Sequence, residues 1–356
     1  MNRVDKIEFK KIQRISPSQF YSMKSCAYKS LLAEAMKKKP LLPVSANAYY
    51  GTVLHKMLEL ILKGAIRNED EFNKRFQEQI KVMEEKLVTD GYDFFVPLQK
   101  NVKDFIMKKI LLKDHLRYVS EKPPRASSVR YFSEKWFESK DKLIGGKIDM
   151  VIEEEHEIEI LDFKTGAITQ DVLDDDGEFT SEVKAEYKDQ LKLYAYLYFE
   201  NTEKFPTQLS LVDLSKQKFK VNFSEKECHA IFEDAKSLLN STNNCIDKDT
   251  FTANPTTANC KYCLYRPACS FYLKHIETDK SFNDVSGSVL NVVKFQNGNV
   301  SVYLKSGDKT FTVSNFPAEK FTELNNSRNK KINVFNLKKE SREFFYSTLK
   351  TTIVYE

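Results

Sequence analysis

Residues 142–166 read KLIGGKIDMVIEEEHEIEILDFKTG, with Asp149, Asp162 and Lys164 set among apolar neighbours. A two-residue turn at Glu155 and His156 pairs the flanking segments as antiparallel strands and sets Asp149 roughly opposite Asp162. Opposed residues on one sheet face lie about 4.5–5.5 Å apart at Cβ, and the side-chain period of two puts Lys164 on the face of Asp162. Two carboxylates that converge so closely repel, unless a cation neutralises them or one binds a proton. Such a pair suits Mg²⁺ or Mn²⁺, bound through one or two carboxylates plus water and substrate phosphate. The ion polarises a phosphoryl oxygen and acidifies a bound water, while an adjacent lysine orients that water or offsets charge in the transition state. These residue types therefore point to metal-assisted phosphodiester hydrolysis. A D-x-K triplet on its own carries little information. The apolar setting adds to it: Ile148, Met150, Val151 and Ile152 on one strand, Ile158, Ile160, Leu161 and Phe163 on the other. Charges placed there cost free energy unless they are compensated.

A second group is Cys260, Cys263 and Cys269, with spacing C-x2-C-x5-C. Close cysteines in a reducing compartment argue for metal or cluster ligation rather than disulfides. Structural zinc and cubane clusters normally take four ligands. Cys26 is the candidate for the fourth, because Cys228 and Cys245 have no matching local pattern.

The elements that must position these groups can be read from periodicity. Ser16-Pro17-Ser18 opens a helical stretch over 16–37, with Cys26 within or just after its first helix. A second helix covers about 46–64, with Leu54, Met57, Leu58 and Ile61 at helical spacing and His55 beside that stripe. By pattern alone His55 is an ordinary polar residue at a helix edge. Residues 69–120 read as a helical layer ended by Pro123-Pro124, and VRYFSEKWF begins a sheet. The acidic segment TQDVLDDDGEFTSE reads as a loop. A helix from about Val183 to Glu200 then carries Tyr187, Gln190, Leu191, Tyr194 and Tyr198 on one face. There Gln190 and Tyr194 would order a phosphate or water beside the metal, unless that face is simply packing. A strand hairpin at 207–223 and a helix follow. From 281 onward, strands near 285–295, 299–305, 309–314, 331–337 and 350–355, with a helix after the third, have the order of an OB-fold barrel. Tyr303, Phe311, Phe335 and Tyr346 are candidates there for stacking bases.

Composition narrows the class. The 356 residues suffice for one large domain or two ordinary ones. Hydrophobic residues make up 41% and aromatics 12%, enough for a sizeable core. No apolar run approaches the roughly 18–20 residues of a membrane span. The N-terminal segment lacks the apolar core of a signal peptide. The expectation is a cytoplasmic protein without a membrane partner. Net charge is +5, and residues 281–356 hold 11 Lys+Arg against 7 Asp+Glu, so nearly all the positive excess falls in the last fifth. That asymmetry suits contact with phosphates.

Taken in order, these pieces resemble the RecB-type branch of the PD-(D/E)XK nuclease superfamily, and within it the members that carry an iron–sulfur cluster, such as the AddB nuclease domain and the CRISPR-adaptation nucleases. The shared pieces are Cys26, G-x-x-x-H at Gly51 to His55, G-G-x-I-D at Gly145 to Asp149, L-D-F-K-T-G at Leu161 to Gly166, Q-x-x-x-Y at Gln190 to Tyr194, and the triple cysteine. They span about residues 15–275. The resemblance implies an α/β fold: a restriction-endonuclease-like core, with a mixed central sheet flanked by helices, over residues 1–278 and a helical insertion at about 65–122. The OB-like β-barrel of 281–356 lies outside it. It further implies that His55, Asp149, Asp162 and the carbonyl of Phe163 bind Mg²⁺ or Mn²⁺. Lys164 would assist the attacking water, and Gln190 and Tyr194 would hold the substrate or the site. Cys26, Cys260, Cys263 and Cys269 would ligate a [4Fe–4S] cluster, with Zn²⁺ as the alternative occupant. The implied activity is cleavage of single-stranded DNA or duplex ends, in repair, recombination or anti-phage defence. With no G-x-x-x-x-G-K-[ST] motif, unwinding would need a helicase or defence-system partner. A nuclease-like binding subunit that steers a helicase is the rival reading, and RNA is the alternative substrate.

Overall fold

The computed structural model describes residues 1–121, 129–173, 179–279 and 281–356. In chain order its helices are α1 (Pro17–Ser25), α2 (Ala27–Ala35), α3 (Ala46–Leu62), α4 (Glu69–Thr89), α5 (Leu98–Asn101), α6 (Phe105–Glu121), α7 (Ala185–Thr202), α8 (Glu225–Lys248), α9 (Thr257–Cys260), α10 (Ser270–Thr278) and α11 (Lys320–Asn325). Its strands are β1 (Val129–Glu138), β2 (Gly145–Glu154), β3 (Glu157–Lys164), β4 (Thr169–Leu173), β5 (Phe179–Val183), β6 (Gln208–Asp213) and β7 (Lys218–Val221). They continue with β8 (Val285–Lys294), β9 (Val300–Ser306), β10 (Lys309–Phe316), β11 (Lys331–Lys339) and β12 (Phe345–Tyr355). The chain divides into two compact units: Ile12–Lys24 with Ser45–Asn244, and Met1–Lys11 with Ser25–Val44 and Cys245–Glu356.

The first unit is built on a mixed sheet of order β1-β2-β3-β6-β7. β3 is its middle strand, antiparallel to β2 and parallel to β6. Ile160, Leu161, Asp162 and Phe163 are all buried there, as expected for a strand covered on both faces. The turn at Glu155-His156 joins β2 to β3, with Glu154 paired to Glu157 and Met150 to Leu161. Continued by one step, that register sets Asp149 across from Asp162. α3 starts where the Ser45 side chain accepts the Ala48 N–H, a helix N-cap. It buries Leu54, Met57, Leu58 and Ile61, as its spacing predicts, and packs against α4 and α6. α7 lies against β1, β2, β3 and β6.

One expectation changes in this unit. Part of the acidic segment after Gly166 is not a loop: β4 and β5 pair as an antiparallel ribbon, from Thr169–Val183 to Leu173–Phe179. The strand-forming Thr169, Val172, Phe179, Thr180 and Val183 decide this, and the acids between them mask the pattern. The expected helix break at Pro123-Pro124 lies outside the described residues.

Cys26 falls just after α1, as expected from the sequence. Cys26 takes an extended conformation (φ −160°, ψ 95°) at the start of α2. Residues 285–355 form a closed barrel of order β10-β12-β11-β8-β9, in which β10 and β12 run parallel. α11 falls between the third and fourth barrel strands, the order read from sequence. Val289, Val302, Leu304, Val313, Leu324 and Val334 fill the interior. The barrel corrects the aromatic reading. Phe311, Phe335 and Tyr346 are buried, and only Tyr303 is partly exposed. A small closed barrel fills its interior with the inward residues of each strand, and Phe311 and Tyr346 belong to that interior; Phe335 is buried against the Tyr355 ring instead, so none of the three is free to stack on bases. Among the described residues, no helix is long and apolar enough to cross a membrane.

Candidate active site

Asp162 sits on the central strand, only 4% exposed. Its Oδ1 accepts a 3.0 Å hydrogen bond from Gln190 Nε2. Lys164 Nζ lies 2.7 Å from Oδ2, yet Oδ2 receives no properly directed hydrogen bond. The same ammonium donates to Gln190 Oε1 at 2.9 Å and stands 4.4 Å from the centre of the Tyr187 ring. Gln190 thus bridges the carboxylate and the lysine, with its acceptor toward one and its donor toward the other. Asp149 Oδ2 accepts the backbone N–H of Phe163 at 2.8 Å, which ties β2 to β3 beside Asp162. Burial, and next the charge of Asp162, push the Asp149 carboxyl up to about 7; the Phe163 N–H, Lys164 and Lys147 pull the other way. Two carboxylates crowded into an apolar sheet, with one lysine against Asp162 alone, repel unless a cation or a proton comes between them.

The surrounding motifs explain themselves by close approach. A Cβ on Gly146 would sit 2.8 Å from Pro17 Cδ and 3.0 Å from Tyr194 Cε1, so only glycine lets α7 lie this near β2. Tyr194 then donates its hydroxyl to the Lys147 carbonyl at 2.9 Å. Tyr194 therefore anchors the strand leading to Asp149. A Cβ on Gly51 would lie 3.2 Å from Thr165 Oγ1, which lets α3 approach the end of β3 and bring His55 with it.

His55 is not an ordinary helix-edge residue. It lines a small cavity with Asp149, Phe163, Leu58, Glu59, Ser133 and Glu134. Burial lowers its pKa first; Asp162 raises it and Lys164 lowers it further. The imidazole is thereby biased toward the neutral form that binds metals. The structure thus brings His55, Asp149, Asp162, Phe163, Lys164, Gln190 and Tyr194 into one neighbourhood. Sequence reasoning passed over Glu134 altogether and gave Glu59 no role. Glu59 follows His55 by one helical turn, which was a readable signal. Glu134 lies in a strand of alternating charge and left no local trace.

Cys260, Cys263 and Cys269 are buried, Cys26 is half-buried, and all four line one cavity with Tyr28, Leu32 and Tyr272. Cys228 and Cys245 are not among its walls. Burial pushes the thiols of Cys260 and Cys269 up to about 11 and about 12, and raises Cys263 as well. The Tyr272 N–H donates to Cys269 Sγ at 3.4 Å. Both donor sets fit in kind: hard oxygens for a divalent cation, and thiols with N–H donors at sulfur for a cluster or zinc. Among the described residues, no three or more His, Cys, Asp or Glu side chains already stand in a metal-gripping arrangement. The ligands are gathered but not closed.

A family model for the PD-(D/E)XK nuclease superfamily matches residues 14–270. No curated protein matches the chain. Among solved structures, a candidate exonuclease from Eubacterium rectale aligns over 76% of this chain and 90% of its own, at 9% identity and a TM-score of 0.43. Another, described as "Structural mimicry for functional antagonism", aligns over 65% of this chain and 98% of its own, at 6% identity and a TM-score of 0.20.

Proposed function

The chain belongs to the PD-(D/E)XK nuclease superfamily, and from that premise we propose that it is a divalent-metal-dependent deoxyribonuclease acting on single strands or duplex ends. The observation that carries this reading is Asp162, only 4% exposed, beside Asp149 and Lys164. The Lys164 ammonium offsets the charge of Asp162 but leaves Asp149 crowded beside it, and a divalent ion would neutralise the pair. His55, Asp149, Asp162 and the Phe163 carbonyl would hold Mg²⁺ or Mn²⁺. When bound, that ion supplies charge neutralisation and an acidified water. Lys164 lies 2.7 Å from Asp162 Oδ2, where its ammonium meets negative charge developing on a phosphoryl group. Gln190 orients that ammonium by accepting a hydrogen bond from it at Oε1. Tyr194 works at one remove, by fixing the β2 backbone.

The catalytic machinery is assigned to residues 1–278, including the helical layer at about 65–122, and the barrel of 281–356 to an accessory role in a cytoplasmic enzyme. We assign Cys26, Cys260, Cys263 and Cys269 to a [4Fe–4S] cluster that staples distant parts of the chain, with Zn²⁺ as the competing occupant. Thiols raised this far by burial ionise only when a cation replaces their protons. Anaerobic purification separates the two, since a cluster colours the protein brown and zinc does not. DNA repair, recombination or defence, with unwinding supplied by a partner, is the setting that such an activity fits.

The test is cleavage of labelled single-stranded DNA by the full chain with Mg²⁺ or Mn²⁺. End-blocked linear and circular DNA run alongside separate end-dependent from internal cutting, and a matched RNA separates the substrates. Loss of cutting in Lys164→Ala and Asp149→Asn, with folding intact, is the expected result. Activity that survives both changes overturns the assignment. Tight binding without turnover under every metal supports a binding subunit instead.

A further inference from the structure

Glu134 lies on β1 between Ser133 and Lys135, which pair with Met150 and Ile148 of β2. It therefore stands across from Asp149. Its φ is +59°, a left-handed conformation in mid-strand that costs a non-glycine residue of order 1–2 kcal/mol. Such strain persists where the surroundings over-determine it. Two carboxylates directly opposed on a sheet repel, and here the Lys147 ammonium, ion-paired with Glu134, supplies the opposite charge.

Lys147 precedes Asp149 by two residues and so shares its side of β2. Its backbone is pinned by Tyr194, while its side chain is 51% exposed. Other lysines near the site are more committed. Lys164 is only 16% exposed and bound to Asp162 and Gln190. Lys56 and Lys63 both close on Glu59. Lys147 is the most exposed of these four and is held by one contact to a carboxylate. A half-exposed ion pair of this kind is worth about 1 kcal/mol or less, little enough for an arriving phosphate to displace it.

We propose that Lys147 binds a backbone phosphate of the nucleic-acid strand beside the scissile bond, and that Glu134 is a positioning residue which holds this lysine at the mouth of the site until that phosphate displaces it. The proposal rests on the nuclease reading. It makes Glu134 a restraint on substrate binding, the opposite of what a framework ion pair does.

The experiment is equilibrium binding of a fluorescein-labelled oligothymidylate to the full chain in EDTA, where no cutting occurs, at several salt concentrations. Lys147→Ala is expected to weaken binding about fivefold and to make the salt slope shallower by about 0.7, the value for one phosphate contact on a single strand. Lys147→Arg retains both affinity and slope. Glu134→Gln, nearly isosteric, tightens binding about threefold by releasing the lysine, and this gain vanishes in the Lys147→Ala background. Thermal unfolding of each variant controls for folding. Unchanged or weaker binding in Glu134→Gln overturns the proposal, as does a gain that persists without Lys147. If the wild-type protein neither binds nor cuts DNA, the nuclease reading itself has failed. If it does both and Lys147→Ala changes neither affinity nor slope, only the role of Lys147 and Glu134 has failed.

Discussion

Lys164–Asp162 and Arg266–Asp284 are two ion pairs with the same 2.7 Å separation, the first half-buried at its lysine and the second buried throughout, and they are completed in opposite ways. Asp284 accepts from Arg266 Nε and from the Tyr272 hydroxyl at one oxygen, and from the Asn336 N–H at the other. Arg266 spends its remaining donors on the carbonyls of Cys260, Lys261 and Cys263 and on Asn336 Oδ1. All three guanidinium nitrogens and both carboxylate oxygens are bonded, so the pair ties the cysteine loop to its neighbouring strands. Asp284 is thus bonded at both oxygens by Arg266 and neutral partners, whereas Asp162 shares its surroundings with a second carboxylate and a single lysine.

The comparison breaks most readily at Lys164. Lys164→Ala should reduce DNA cleavage by 10³-fold or more, about 4 kcal/mol of transition-state stabilisation, with no matching loss in thermal unfolding temperature. A protein that instead unfolds with its activity per folded molecule intact would place Lys164 in the framework. Arg266→Ala should show the reverse pattern. Removing one partner of a satisfied buried pair costs about 3–5 kcal/mol, read as a lower urea midpoint. An unchanged midpoint would mean that the network contributes little.

A pH series sharpens the contrast. In metal-free protein the Asp149 carboxyl lies at about 7, against its ordinary 3.8, because of burial and then Asp162. Between those values the folded state binds more protons than the unfolded one. Stability in EDTA therefore falls as pH rises from about 4 to about 7, by a few kcal/mol at most. Asp149→Asn should flatten that slope, and added Mn²⁺ should restore stability at high pH. A slope that survives the substitution would exclude Asp149 as its source. The smallest effect is expected at Tyr194→Phe. Loss of its bond to the Lys147 carbonyl should cost about 1 kcal/mol of stability and lower the cleavage rate without removing metal binding, as calorimetry with Mn²⁺ would report.

Several features were legible because they are local. The turn at Glu155-His156 and a side-chain period of two set Asp149 against Asp162, and the same period put Lys164 beside it. Strand lengths and turn residues disclosed the order of the barrel strands, and C-x2-C-x5-C announced a thiol site. Where pattern was ambiguous, local reasoning went astray: acids hid the β4–β5 ribbon, the alternation that marked Phe311 and Phe335 as strand residues did not say that both are buried, and Tyr346 fell before the strand read at 350–355, which begins at Phe345.

The amino-acid order by itself determined which residue types recur at which spacing, and hence the hairpin, the cysteine pattern and the strand order. Only the tertiary structure decided that His55 shares a cavity with Asp149, that Gln190 bonds both Asp162 and Lys164, and that Glu134 opposes Asp149 in a strained conformation. The reason is that spacing reports only neighbours along the chain. Contacts between residues tens to a hundred positions apart depend on how closely helices and strands pack, and here on Gly51 and Gly146, where a single added carbon would hold those elements apart.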